Sequence, residues 1–351
     1  MDQFAYERES YKDITVIIPA MVLPTRIPFF KKALASVINQ DFEKDRYEVI
    51  VISDSHIIND VINPGTADNI RVIVDPSASG LGTKLYTAIA LARGEVITFC
   101  EDDDEFSPGE LSYMFEQFNR RQINYLHVNY DTVDVDSKKI YVPTQLSRQR
   151  MSQKLGFIEF DYTIGIQTMS MITKSGVLGN VSCVSIRAAF IKKYSFLLKD
   201  LNYGVDTMLF FIPLVFRTRM AVSGEKLTGY RIHQQNTSKD MMVNYPSKDD
   251  GKFLAMNEII KKVDYLREIN QGAAIDKLLE IFIIETELIT EITLNSPSRR
   301  YILHMLIKLI HRSGLRNGFA EESILIKGVL YIISKKTMNR AVSYIHRSRG
   351  K

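Results

Sequence analysis

The hydrophobic positions change period along this chain. The first third alternates between short β-branched runs and amphipathic stretches. ITVIIPA, YEVIVISDS, NIRVIVDP and EVITFC are continuous apolar runs of strand length, the mark of strands buried on both faces. Between them, FFKKALASVINQ and GLGTKLYTAIALARG space their apolar residues as helices do, and Gly94 is the expected C-cap of the second. Strand and helix in alternation predict a parallel sheet with helices on its faces. Such sheets bind ligands at the carboxyl ends of their strands. Pro19, Asp54 and Glu101 to Asp104 stand at three of these ends.

The middle is less regular. YLHVNYDTVDV is strand-like and is followed by KKIYVPTQ and a polar stretch. GVLGNVSCVSIR is apolar, and DLNYGVDTMLFFIPLVFR places Asp206 at the start of a helix-like run. GYRIHQQNTS reads as a short strand or turn. From about residue 246 the pattern becomes wholly helical. KFLAMNEIIKKVDYLREI, AAIDKLLEIFIIETELITEITL, SRRYILHMLIKLIHRSG and EESILIKGVLYIISKKTMNRAVSYIHRSRGK each carry one apolar and one polar face. The expected division is an α/β domain over 1–245 and an all-α region over 246–351.

Composition narrows the function classes. The 351 residues are 45% hydrophobic and 25% charged, which is ordinary for a globular protein. A net charge of +4 gives no polyanion-binding signal, so no nucleic-acid partner is expected. Two cysteines outside any CxxC pair point to a reducing compartment and away from zinc. The polar start MDQFAYERESYKD lacks the apolar centre of a signal peptide. The most apolar stretch, FLLKDLNYGVDTMLFFIPLVF, is broken by Lys199, Asp200 and Asp206, short of the roughly 20 apolar residues of a membrane span. A cytoplasmic protein is expected, in solution or peripheral on the membrane face.

The candidate chemistry centres on FCEDDDEFSP. Five consecutive acids follow a buried-looking strand, and close carboxylates raise one another's pKa. A divalent cation with hard oxygen ligands offsets such repulsion.

The order of several motifs is similar to that of the family 2 glycosyltransferases, which have the GT-A fold. ITVIIPA resembles their opening strand and ALASVINQDF their first helix. YEVIVISDS resembles the strand that ends in acids, and ARGEVITFCEDDDEFSPGEL the stretch around the DxD motif. GVDTMLFF and YRIHQQNTS match later elements, so the resemblance runs over about residues 13–240. It implies an inverting enzyme with a nucleotide-sugar donor, Mg²⁺ or Mn²⁺, and a glycan or lipid-linked hydroxyl acceptor.

By position, the resemblance makes Asp103 the metal ligand, with Glu101, Asp104 and His233 beside it. It sets Asp102 near the ribose or diphosphate, Asp54 at the nucleotide base, and Pro19 and Ala20 with their backbone facing that base. Lys84 and Arg231 become diphosphate groups, and Asp206 the general base. Other roles remain open for several of them: Asp104 as a turn cap, Asp54 as a helix cap, Lys84 as a solvated lysine, Asp206 as an N-cap. Glu101 and Ser53 replace the family's usual aspartates, its Thr-Tyr-Asn is absent after the first strand, and the loop MVLPTRIP is longer. Two rivals stay open, a nucleotidyltransferase and an inactive sugar-nucleotide scaffold. The C-terminal helices read as a packing or oligomerisation region, or as basic amphipathic helices for an anionic membrane.

Overall fold

The computed structural model of the chain describes residues 11–62, 67–234, 236, 252–269, 273–294 and 299–313. The predicted alternation is present. β1 (Lys12–Ala20), α1 (Ile27–Ile38), β2 (Tyr47–Ser53), the single turn α2 (Ile58–Val61), β3 (Ile70–Val74), α3 (Leu81–Leu91) and β4 (Gly94–Phe99) follow one another. β1 pairs in parallel with β2 and β4, and β2 with β3. Successive residues of β1 feed opposite layers, as strand pleating requires. Val16 and Ile18 pack with Phe30, Ala33 and Leu34 of α1, while Ile17 packs with Leu85, Ala88 and Ile89 of α3.

Gly94 opens β4 instead of capping α3, whose C-cap is Ala92. A Cβ on Gly94 would lie 2.3 Å from the backbone nitrogen of Thr15, so the close approach of β4 to β1 requires glycine.

The second half of the sheet is mixed. β5 (Glu105–Phe106), α4 (Glu110–Arg120) and β6 (Tyr125–Val133) are followed by α5 (Pro143–Leu155), β7 (Phe157–Phe160) and α6 (Ile166–Lys174). Then come a 3-10 turn at Val181–Cys183, β8 (Val184–Arg187), α7 (Ala188–Tyr194), α8 (Val205–Val215) and β9 (Met220–Arg231). The strand order is β3-β2-β1-β4-β8-β6-β9-β5, with β7 also on β9. β8 runs antiparallel to β4 and β6, and β6 pairs in parallel with β9. Most residue pairs in the sheet are parallel, as expected. Cys100 and Cys183 are buried and free.

The helical C-terminal pattern appears as α9 (Lys252–Ile269), α10 (Ala273–Leu294) and α11 (Arg299–Ser313). Ile259, Val263 and Leu266 of α9 and Ile275, Leu279 and Ile283 of α10 join the cluster built on α8. The Phe211 ring meets Phe282 edge-on at 5.3 Å. On α11, Leu303 and Ile307 are exposed. The fourth predicted helix lies outside the described residues. No described helix is long and apolar enough to cross a membrane.

Candidate active site

Parallel pairing brings the ends of β1, β2 and β4 to one edge. Ala20 is in register with Ser53, and Ile17 with Phe99. A cleft of about 560 Å³ opens there. Pro19, Lys84, Glu101, Asp102, Asp103 and Asp206 line it, six of the residues singled out above. Its far wall includes Ile259 of α9 and Phe282 and Thr286 of α10.

Lys84 is a buried residue of α3 rather than a solvated one. Its Nζ donates to the Ala20 carbonyl at 2.9 Å and to Asp54 Oδ1 at 3.0 Å. It therefore ties the ends of β1 and β2 together at the cleft. Asp54 is half-buried, and Ser53 beside it is fully buried.

Asp102 and Asp103 form the acidic floor. Asp102 Oδ2 accepts the Met21 N–H at 2.5 Å, and its Oδ1 accepts from the Arg26 guanidinium. The same guanidinium nitrogen lies 2.9 Å from Asp103 Oδ2. Asp103 Oδ2 also bonds His233 Nε2 at 2.9 Å. Burial pushes the Asp102 carboxyl up to about 6, against the pull of Arg26. For Asp103, burial acts in the same direction, but His233 and Arg26 prevail and hold it below its ordinary range. Glu101 is driven well above its ordinary range, first by burial and then by Asp103, Asp104 and Asp206.

Arg26 is the residue that motif reading missed. It is the N-cap of α1, at the end of the loop already noted for its length. Its carbonyl accepts the N–H groups of Phe29 and Phe30 at 3.0 Å each, which anchors its backbone. Burial disfavours its charge, but Asp102 and Asp103 outweigh that and raise its pKa further.

Three expected site residues face inward. Asp104 is 1% exposed; its Oδ2 accepts the Ser182 hydroxyl at 2.7 Å and its Oδ1 the Arg231 N–H at 3.0 Å. Burial and Asp103 push its carboxyl up to about 8. Arg231 is fully buried, which departs from the expected diphosphate contact. Its Nε donates to the Asp103 carbonyl at 2.8 Å, and its fork to the Asp134 carbonyl and the Glu105 carboxylate. His233 is 6% exposed, packed 4.7 Å from the Phe29 ring, with its ring nitrogen Nε2 on Asp103. These side chains brace the acidic loop from beneath, and only the backbone order of the motif foretold their neighbourhood.

Asp206 occupies the first turn of α8, behind the N-cap Gly204, so it is not itself the cap. Its Oδ1 accepts the Thr207 N–H at 2.8 Å. Burial raises its pKa, and backbone donors oppose that.

Among the described residues no group of three or more His, Cys, Asp or Glu side chains is arranged to hold a metal ion. A Mg²⁺ that shares phosphate oxygens needs only one or two carboxylates. Glu101 and Asp103 on the cleft surface suit that requirement in donor chemistry.

Residues 15–177 match the family model described as Glycosyl transferase family 2. That segment, just under half of the chain, is what is similar to the family. Its fold is similar to S. aureus TarS 1–349 in complex with UDP-GlcNAc, with a TM-score of 0.59 at 15% identity, over 96% of this chain and 92% of that one. The same S. aureus fragment with UDP aligns with a TM-score of 0.56 at 15% identity, over 97% and 92%. Another S. aureus TarS structure, with a longer chain, aligns over 94% of this chain and 54% of its own, with a TM-score of 0.51 at 13% identity. The likeness in fold thus continues past the family 2 segment into the C-terminal helices. A comparison with curated proteins gives no match.

Proposed function

We propose that the chain is an inverting glycosyltransferase that moves a sugar from a nucleoside diphosphate donor to a hydroxyl of a glycan or lipid-linked acceptor. The observation that carries this reading is the single cleft shared by Asp206 and the Glu101–Asp103 floor. The family 2 match and the sugar-nucleotide complex of TarS support it.

The acceptor oxygen attacks the anomeric carbon from the face opposite the leaving group. The carbon–oxygen bond to the diphosphate breaks, and its electron pair leaves with the diphosphate. Asp206 takes the acceptor proton. A carboxylate whose pKa is raised by burial suits that task, because a base works best with a pKa near the working pH. When bound at Glu101 and Asp103, Mg²⁺ or Mn²⁺ supplies charge stabilisation to the departing diphosphate. Asp102 and Lys84 are taken as donor-side groups, with Asp54, Pro19 and Ala20 at the nucleotide base. His233 and Arg231 hold Asp103 in position from below. The C-terminal helices complete one wall of the cleft, and they are also the candidate surface for a second copy or a membrane.

The test is a panel of nucleotide sugars incubated with Mn²⁺ and assayed for nucleoside diphosphate release. Metal-dependent release is expected, and Asp206→Asn is expected to abolish transfer while keeping donor binding. Pyrophosphate release would point to nucleotidyl transfer instead, and full activity in Asp206→Asn would refute the base assignment.

A further inference from the structure

The acidic floor already holds a cation of the protein's own. Arg26 meets Asp102 Oδ1 and lies 2.9 Å from Asp103 Oδ2, and all three side chains are at least nine-tenths buried. It arrives there from a backbone fixed at the start of α1, so the contact belongs to the fold. Asp103 is also, with Glu101, one of the two carboxylates that would hold a divalent cation in the same cleft. Breaking a buried ion pair leaves an uncompensated charge and is costly. A cation entering alone must meet that cost in full. A cation entering with a diphosphate brings anionic oxygens that the freed guanidinium fork can take, because that fork matches phosphate.

We propose that Arg26 is a positioning residue that, anchored on Asp102, keeps the acidic floor assembled without donor and competes with the divalent cation for Asp103. The inference rests on the metal-dependent reading above. It implies that metal and nucleoside diphosphate bind together rather than metal first.

The experiment titrates Mn²⁺ into the full, EDTA-stripped chain by calorimetry, first without nucleotide and then with UDP. Arg26→Gln is expected to bind Mn²⁺ without nucleotide roughly ten-fold tighter than wild type, or more. With UDP present the advantage should vanish or reverse, because the variant lacks a partner for the diphosphate. Wild-type affinity in Arg26→Gln without nucleotide overturns the inference and leaves the metal reading standing. No Mn²⁺ binding by either protein, with or without UDP, overturns the metal reading and this inference with it. If Arg26→Gln does not fold, Arg26→Lys replaces it. It keeps one charge but no fork, so its Mn²⁺ affinity should also exceed that of wild type, by a smaller factor. An unchanged affinity would again overturn the proposal.

Discussion

Residues next to each other in the acidic run have different fates. Asp102 and Asp103 line the cleft, while Asp104 turns into the core toward Ser182 and Arg231. The run itself was legible because five adjacent acids after a buried strand are an electrostatic anomaly. Which carboxylate faces the cleft was not legible, because that depends on backbone rotation around each residue. Arg26 was invisible for a related reason, since its partner Asp102 is 76 positions away. His127 is buried on β6 with Nε2 on the Gly179 carbonyl at 3.2 Å. Burial lowers its pKa to about 4. A base depressed in the folded state is charged only in the unfolded chain between about 4 and 6.5. Its stabilising effect is therefore present above about 6.5 and lost as pH falls toward 4. The loss is worth roughly 3 kcal/mol at full extent. Denaturant melts of wild type and His127→Gln across this range should converge on acidification, and parallel curves would refute the assignment.

Elements read from continuous apolar runs appear where expected, because a strand buried on both faces needs no alternation to be visible. Only the end of β9, the GYR of the short strand or turn GYRIHQQNTS, appeared in the pattern. Its sequence MAVSGEKLTGYR is interrupted by Ser223, Gly224, Glu225 and Lys226. It is a strand because it pairs with β6 along one edge and with β7 and β5 along the other. Non-local pairing here overrides weak local propensity. α8 carries the clearest element-scale prediction. Gly204 has φ of +70°, and a Cβ there would lie 1.9 Å from the Ile259 side chain. Gly204→Ala should cost roughly 1–3 kcal/mol from backbone strain and displacement of α9. It should also lower turnover more than donor affinity, because α8 carries Asp206. Thermal melts and steady-state kinetics measure both, and a stable, fully active variant would contradict the account.

At the scale of the whole molecule, the division at residue 245 meets a shared core. α9 and α10 bury their apolar faces on α8 and line the cleft that holds Asp103 and Asp206. A chain ending at residue 245 should therefore expose Phe211 and its neighbours, and give little soluble protein. Soluble yield and melting of that fragment test this directly. A fragment as stable as the full chain would establish the helices as an independent unit.

The sequence by itself determined the α/β order, the strand ends that border the cleft, the acidic run and the acid at the start of α8. Each is written in neighbouring residues, through period, turn chemistry or charge density. Only the tertiary structure decided that Arg26 neutralises the floor, that Arg231 and His233 work from beneath it, and that the C-terminal helices wall the cleft. Those outcomes depend on residues far apart in the chain meeting in a low-dielectric interior, where an unpaired charge or apolar face is costly and its partner can come from any segment.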